Sequence, residues 1–492
     1  MSATAVVEAV CCLALLLAGC GTVKPEGDYH HASALVAKHT GVGEVYDPAV
    51  DPLIENRVEE LLKDGLHLDE AVQIALLNNR GFQSLFLEIG VSRADVVQSG
   101  MLTNPVFSLL PRIPDIGGRI NLTVGFTQEL AELWQIPIRK KTALDQLEKT
   151  ILKVADAAIT LAAEVKTQYY GLVTLREGER IERENGELVD KSLILAQHRF
   201  DAGETTLLDV NLMKSDAVGA RMRLSKVQGD IEKARATFAK LLGIDKSKTV
   251  WEPVDLIEEP KGEIADNGAL IDVAMSQRLD AQMGAMDVRL AEKELAKQGR
   301  SLISHLSLGI ESERPESKAD PSRFARGIAA FNPATDGRPS FPTVAEDKLA
   351  AKQVVNHLTG PSLEVTLPVW DQNRAQISKA RLQVRQKRKD LEEVEESIRE
   401  DVEKAAVDVR KATEQLRVSS EEALPLAGRN YETAQRVYKA GEESILVVME
   451  AHKSLIKARD DRNQALGDYA AAMAGLERAV GGRLDGGTGG KP

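Results

Sequence analysis

Residues 196–221, AQHRFDAGETTLLDVNLMKSDAVGAR, align without a gap on residues 434–459, AQRVYKAGEESILVVMEAHKSLIKAR, with nine of 26 positions identical. Each copy sets an Ala-Gly-Glu turn, Ala202-Gly203-Glu204 or Ala440-Gly441-Glu442, between two stretches of helical apolar spacing. Glycine just past a helical pattern is a stop signal, so each copy reads as a helical hairpin. A weaker match, 199 residues apart, relates Ala75–Gln83 to Ala274–Gln282. Trp134 and Trp370 lie 236 apart. A period this long implies duplication of a half-chain rather than a solenoid of short repeats.

Working outward, both halves show the same order of elements. The first has a helical pattern over 68–100, apolar/polar alternation at Ile120, Leu122, Val124 and Phe126, then helices over 138–202 and 206–242. The second has helix 266–299, strands near 302–312 and 361–370, and helices 372–440 and 444–481. At 1.5 Å per residue the two long helices reach roughly 95 and 100 Å. Ile398, Val402, Ala405, Val409, Ala412 and Leu416 are spaced as a coiled-coil seam. Pro425 is expected to interrupt the second long helix. The fold class is therefore mainly α with a small β part, built from a duplicated helical-hairpin/β-hairpin half. The division is 61–245 for the first repeat (β-hairpin near 104–130), 246–265 for a linker and 266–482 for the second repeat (β-hairpin near 302–370), with a disordered tail at 483–492.

Composition narrows the function. The chain has 492 residues, 63 Lys and Arg against 75 Asp and Glu, a net charge of −12, and 43% apolar residues. That apolar fraction excludes global disorder, and the acidic balance argues against a nucleic-acid surface, which needs clustered Lys and Arg. Past residue 20 no run is long and apolar enough for a membrane-spanning helix.

The first 19 residues read as a signal peptide with the apolar stretch Cys11 to Leu17. Leu17-Ala18-Gly19-Cys20 resembles a bacterial lipobox, which implies a covalent lipid on Cys20 and a lipidated lead segment over 20–60. Gly21 in place of Asp favours export to the outer membrane. Cleavage leaves Cys20 as the sole mature cysteine, so no intrachain disulfide and no thiolate metal site is available.

Four strands cannot close a membrane barrel, whose smallest natural forms need about eight, but three copies supply twelve. Open sheet edges do not survive in lipid, so insertion requires an oligomer. An ordinary soluble β layer fits the same alternation equally well. Trp134 and Trp370 stand where a strand passes into a long helix, suited either to the membrane interface or to junction packing. Pro111 and Pro114 should force an early turn at the end of the first strand. Segment 313–360, Pro-rich and charged, reads as an exposed loop.

Leu68-Asp69-Glu70-Ala71, Asn78-Asn79, Pro105, Pro368-Val369-Trp370-Asp371-Gln372-Asn373-Arg374 and the turns Phe200-Asp201-Ala202-Gly203 and Tyr438-Lys439-Ala440-Gly441 together resemble the TolC-like outer-membrane efflux proteins, in the lipoprotein branch. The resemblance implies a homotrimer anchored in outer-membrane lipid and extending into the periplasm. It implies a twelve-stranded transmembrane β-barrel continuous with a long α-helical barrel. The implied partners are a periplasmic adaptor protein, docking at Ala202, Gly203, Glu204, Ala440, Gly441 and Glu442, and an inner-membrane pump of the resistance-nodulation-division type. Glu450 matches one acidic position of the family's periplasmic gate; Val447 fills the other, and Asp209 aligns with that missing acid in the first repeat. A solvated helix face or a helix-start charge is the competing reading for both acids.

No catalytic motif is present: HExxH, P-loop, GxSxG and dinucleotide fingerprints are all missing. The only adjacent histidines, His30-His31, fall in a lead segment expected to be unstructured. The sequence therefore predicts no enzyme, no cofactor apart from the lipid, no metal and no nucleic acid. The competing non-enzyme is a periplasmic coiled-coil adaptor or structural lipoprotein without a channel.

Overall fold

The computed structural model describes residues 22–112, 121–131, 133–245, 251–260, 265–300, 305–314, 316–317, 354–355, 358–440 and 442–484. Cys20, Gly441, Pro114, the signal segment, most of 313–360 and nearly all of the tail lie outside these described residues. The chain forms two compact units, and each draws on both halves of the sequence. One comprises Val97–Thr142 and Ala291–Val384 with the sheet; the other comprises the residues from 22 to 96, 143 to 290 and 385 onward.

The helical unit opens with α1 (Glu26–Thr40) and α2 (Ile54–Leu61). The lead segment is thus folded, contrary to expectation. Of the apolar residues of α1, Ala32 and Val36 are fully buried, and Asp28 takes a two-pronged ion pair from Arg93 at 2.5 Å. Tyr29 stacks on Phe86, with ring centroids 5.3 Å apart. These partners are remote in sequence, so no local periodicity announces them.

The helix expected over 68–100 is two, α3 (Leu68–Asn78) and α4 (Arg80–Ser99), parted by an extended Asn79 at ψ 118°. The helix expected over 266–299 divides likewise into α7 (Asn267–Gln277) and α8 (Leu279–Arg300), parted by Arg278 at ψ 129°. The breaks are 199 residues apart, the offset of the weaker repeat. Both serve the end of a hairpin helix. Asn78 and Asn79 donate to the carbonyls of Leu242 and Leu241, at the end of α6 (Leu207–Leu242). Arg278 donates to the carbonyl of Ala479, at the end of α11 (Ile445–Val480). Each helix closes on a left-handed glycine, Gly243 at φ 70° and Gly481 at φ 91°. A Cβ on Gly243 would lie 2.2 Å from the Asn78 carbonyl oxygen, so close approach as well as φ demands glycine.

The long helix α5 (Ile136–Asp201) has 66 residues. Its counterpart is α9 (Arg374–Arg417), a π-helical turn over Val418–Ala423, and α10 (Leu424–Lys439). The interruption falls just ahead of Pro425, whose missing N–H and bulky ring disfavour a regular preceding turn. On α9 the buried stripe is Ile398, Val402, Ala406 and Val409, packed on Leu270, Ala274, Leu476 and Val480. Ala406, not the half-buried Ala405, carries the seam. Two successive four-residue steps follow a straight helix of 3.6 residues per turn rather than a strict heptad.

The other unit holds a four-stranded antiparallel sheet in sequence order: β1 (Val106–Arg112), β2 (Asn121–Glu129), β3 (Leu306–Arg314) and β4 (Leu358–Val365). A further two-residue pair joins Glu316–Ser317 to Val354–Val355. Two expectations fail here. Pro111 sits inside β1 opposite Leu122 rather than ending it, which an edge strand permits because one side needs no N–H. The strand expected over 361–370 stops at Val365; Val369 N–H folds back to the Leu367 carbonyl at 2.8 Å, and Asn373 adopts φ 58°. Among the described helices none is long and apolar enough to cross a membrane.

Candidate functional site

The two hairpin tips are built alike. In the first, Gly203 at φ 77° lets the Glu204 N–H return to the Arg199 carbonyl at 2.8 Å. In the second, the Glu442 N–H returns to the Val437 carbonyl at 3.1 Å. Both bonds span five residues and are related by the 238-residue repeat, the pattern of a Schellman turn. Ala202, Glu204, Ala440 and Glu442 are exposed, while Gly441 lies outside the described residues.

The helices that leave the tips start differently. Thr206 caps α6: its Oγ1 accepts from the Asp209 N–H at 3.2 Å, while the Asp209 carboxylate accepts from the Thr206 N–H at 3.1 Å. Hydroxyls of Thr205 and Thr206 add bonds of 2.7 Å and hold the Asp209 carboxyl below its ordinary pKa. Asp209 is thus a capping-box residue. In the second hairpin Ser444 occupies the Thr206 position and makes no side-chain cap bond, and Val447 offers no carboxylate to accept from its N–H. Glu450 is exposed on α11, and no hydrogen bond joins it to Asp209.

The sheet segregates its faces. Phe107, Leu109, Leu122, Phe126, Leu308, Ile310 and Leu363 lie on one face by register and are exposed, Phe107 and Leu363 by about two-thirds of their surface, with Gln128, Ser312 and Thr359 as polar exceptions. The other face carries Ser108, Thr123, Gly125, Thr127, Gly309, Glu311, Gly360 and Ser362, with Val106 and Leu110 as apolar exceptions. Its glycines let strands and side chains pack closely. A Cβ on Gly309 would fall 2.8 Å from the Phe126 carbonyl oxygen. Among the described residues β1 and β4 are the sheet's edges, each paired on one side. Trp134 and Trp370, at the two strand-to-helix passages, are both exposed, Trp370 by 96%.

Two halves, each a β-hairpin between helical elements and a tip closed by an Ala-Gly turn, are the pattern to be compared. The profile described as outer membrane efflux protein matches residues 117–244 and 270–482. The chain belongs to the outer membrane efflux protein family. Its similarity to the pyoverdine export outer membrane protein OpmQ of Pseudomonas aeruginosa is 23% identity over 345 residues, 70% of this chain. The chain spans 65% of that relative's length.

Solved structures of similar fold include the outer-membrane channel OprN, with a TM-score of 0.64 at 18% identity over 92% of this chain and 95% of that one. A membrane protein from Pseudomonas aeruginosa gives 0.64 at 19% identity over 86% and 92%. At these identities the likeness establishes the fold of this member of the outer membrane efflux family.

Sequence reasoning missed the residues that join the hairpins. Arg199 at the first tip lies over the Tyr438 ring of the second. Met213 on α6 and Met449 on α11 share a buried cluster with Ala196. Asp216 on α6 pairs with Lys453 on α11 at 3.3 Å. None of these is repeated in both copies, so the alignment that reveals the hairpins gives no hint of what couples them.

Proposed function

We propose that this chain forms, as a homotrimer, the outer-membrane exit channel of a tripartite efflux system. It would be a passive conduit for solutes delivered by an inner-membrane pump of the resistance-nodulation-division type through a periplasmic adaptor. The observation that carries this reading is the sheet: an exposed, mostly apolar face, an opposite face rich in Gly, Ser, Thr and Glu, and two edges unpaired among the described residues. Lipid facing one side and water the other is what such a dyad suits. Unpaired edges cost several kcal/mol per backbone group in hydrocarbon. Three copies, β4 of one beside β1 of the next, would join antiparallel into twelve strands.

In this reading Trp134 and Trp370 lie at the membrane–water boundary. The tips Ala202–Glu204 and Ala440–Glu442 meet the adaptor, and Cys20 carries lipid. Three copies of Glu450 would ring the periplasmic entrance. Asp209, engaged with Thr206, would contribute its charge without freedom to move.

The test is single-cysteine substitution on both edges, Leu109→Cys on β1 and Leu363→Cys on β4, in one chain. Expected are cross-links between copies in outer-membrane fractions, a heat-labile trimer and single-channel conductance in planar bilayers. A monomer that forms no intermolecular cross-link would refute the channel.

A further inference from the structure

Away from the tips and the sheet, α6 and α11 line a small, partly open cavity of about 20 Å³, with α5 and α10 contributing to its wall. Met213, Asp216, Met449 and His452 line it together with Ser192 and Tyr431. Met213 and Asp216 are three residues apart on α6, and Met449 and His452 three apart on α11, so each pair occupies one helix face. Met213, Met449 and His452 are 2%, 8% and 7% exposed.

The His452 Nε2 is buried and has no hydrogen-bond partner. Its ring lies 5.3 Å from that of Tyr431. A buried nitrogen left unpaired costs about 1–3 kcal/mol, which argues for an occupant of the cavity. The volume admits one water or one ion. Water needs two to four polar partners, and the wall supplies the Asp216 carboxylate and the Tyr431 and Ser192 hydroxyls, the last donating to the Leu188 carbonyl at 2.9 Å. It also brings together an imidazole nitrogen and two thioethers, a donor set that water does not need and a soft cation does.

Imidazole and thioether together select soft transition-metal ions over hard cations. We propose that Met213, Met449 and His452 bind a single soft monovalent cation of the copper(I) or silver(I) class between α6 and α11. Among the described residues no group of three His, Cys, Asp or Glu side chains is placed to hold a metal; this site differs in taking two ligands from methionine. Two further features suit it. Burial holds the imidazole neutral, the form that ligates. The Asp216 side chain, 7% exposed, supplies nearby negative charge while its partner Lys453 is 48% exposed. The other charges that face His452 are Glu182, Arg223 and Arg459, which carry both signs. The site is independent of the conduit and would exist in a chain that never forms a pore.

Silver(I) is the probe, because it is stable in air and shares the charge and closed d shell of copper(I). The full chain in detergent, its thiols blocked with N-ethylmaleimide, is dialysed against silver(I), zinc(II) or calcium(II), and retained metal is measured by elemental analysis. One silver ion per protomer is expected, with little zinc or calcium. Met449→Leu and Met213→Leu, which keep side-chain volume, and His452→Gln should each weaken silver binding by about tenfold or more. Hydrogen exchange across 188–196 and 445–455 should slow on silver addition in the parent chain only. If the leucine variants fold as the parent does and retain silver with parental affinity, the assignment is wrong. It is equally wrong if the parent retains none, the cavity then holding water alone.

Discussion

Arg199 lays its guanidinium over the ring of Tyr438, 4.9 Å from the centroid, joining the two hairpin tips. The same Arg199 also reaches the Glu204 carboxylate at 3.3 Å, within its own tip. In repeat register Arg199 corresponds to Val437 and Tyr438 to Phe200, so the contact exists once and is absent from its mirror position. A partly exposed cation–π pair is worth about 0.5–1 kcal/mol. The expectation is a coupling of that size between Arg199→Ala and Tyr438→Leu, read as opening free energies from hydrogen exchange at the tips. The double-mutant cycle is needed because Arg199→Ala alone also frees Glu204. Strictly additive effects would show that the tips open independently.

The unequal helix starts give a second expectation. Asp209→Ala removes the carboxylate half of the capping box while leaving the backbone N–H of residue 209 on the Thr206 hydroxyl, and should raise local opening at the start of α6 by about 0.5–1 kcal/mol. Val447→Asp creates the missing partner for Ser444 and should steady the start of α11 by a smaller margin. The hydroxyls of Thr205 and Thr206 lower the Asp209 pKa, so its contribution is full above the unfolded carboxyl value. It fades as pH falls through the lowered folded value. Hydrogen exchange of 206–210 measured across the acid range should show this fading in the parent and none in Asp209→Ala.

A third expectation concerns the small face of the sheet. A side chain at Gly309 would strike the Phe126 carbonyl oxygen, which is backbone, and the Ser362 hydroxyl at 2.6 Å. At Gly125 it would meet only the Ser108 hydroxyl, at 2.4 Å, and that group can rotate away. Gly309→Val should therefore disrupt β2–β3 pairing by about 1–3 kcal/mol, as overpacking does, while Gly125→Ala should be milder. The heat-modifiable mobility of the two variants on gels checks the order; equal effects would contradict it.

How much of this was legible beforehand depends on whether the cause lay near in sequence. The hairpins and Pro425 announced themselves, because an Ala-Gly turn after apolar helical spacing and a mid-helix proline act locally. β2 was legible for the same reason: Leu122, Val124 and Phe126 alternate with small residues. The breaks at Asn79 and Arg278 were not, since each is stabilised by the far end of a helix more than 160 residues away. The folding of α1 rests on Arg93 and Phe86, which local pattern cannot show. Asp209 was aligned as a gate acid, yet the nearby Thr206 already offered a cap, and Thr-x-x-Asp was readable there as a variant capping box. The cluster of Met213, Met449 and His452 had no signal at all, because its members occupy non-equivalent positions of the two repeats.

The last expectation follows from burial of His452. Loss of solvation is the largest influence on its imidazole and pushes the pKa below the ordinary 6.5. Asp216 and Glu182 favour the charged form and Arg223 and Arg459 oppose it, without reversing that direction. A base whose folded pKa is depressed leaves stability unaffected above the unfolded value. As pH falls below about 6.5 the unfolded chain takes up the proton and the folded chain does not, so stability declines until the lowered folded pKa is passed. Melting in detergent with a chelator present should therefore show a midpoint that drops from pH 8 to pH 5. His452→Leu should flatten part of that slope, leaving what the carboxylates contribute. Parent and variant with identical slopes would mean that the imidazole reaches water in the folded chain, and that α6 and α11 do not seal it.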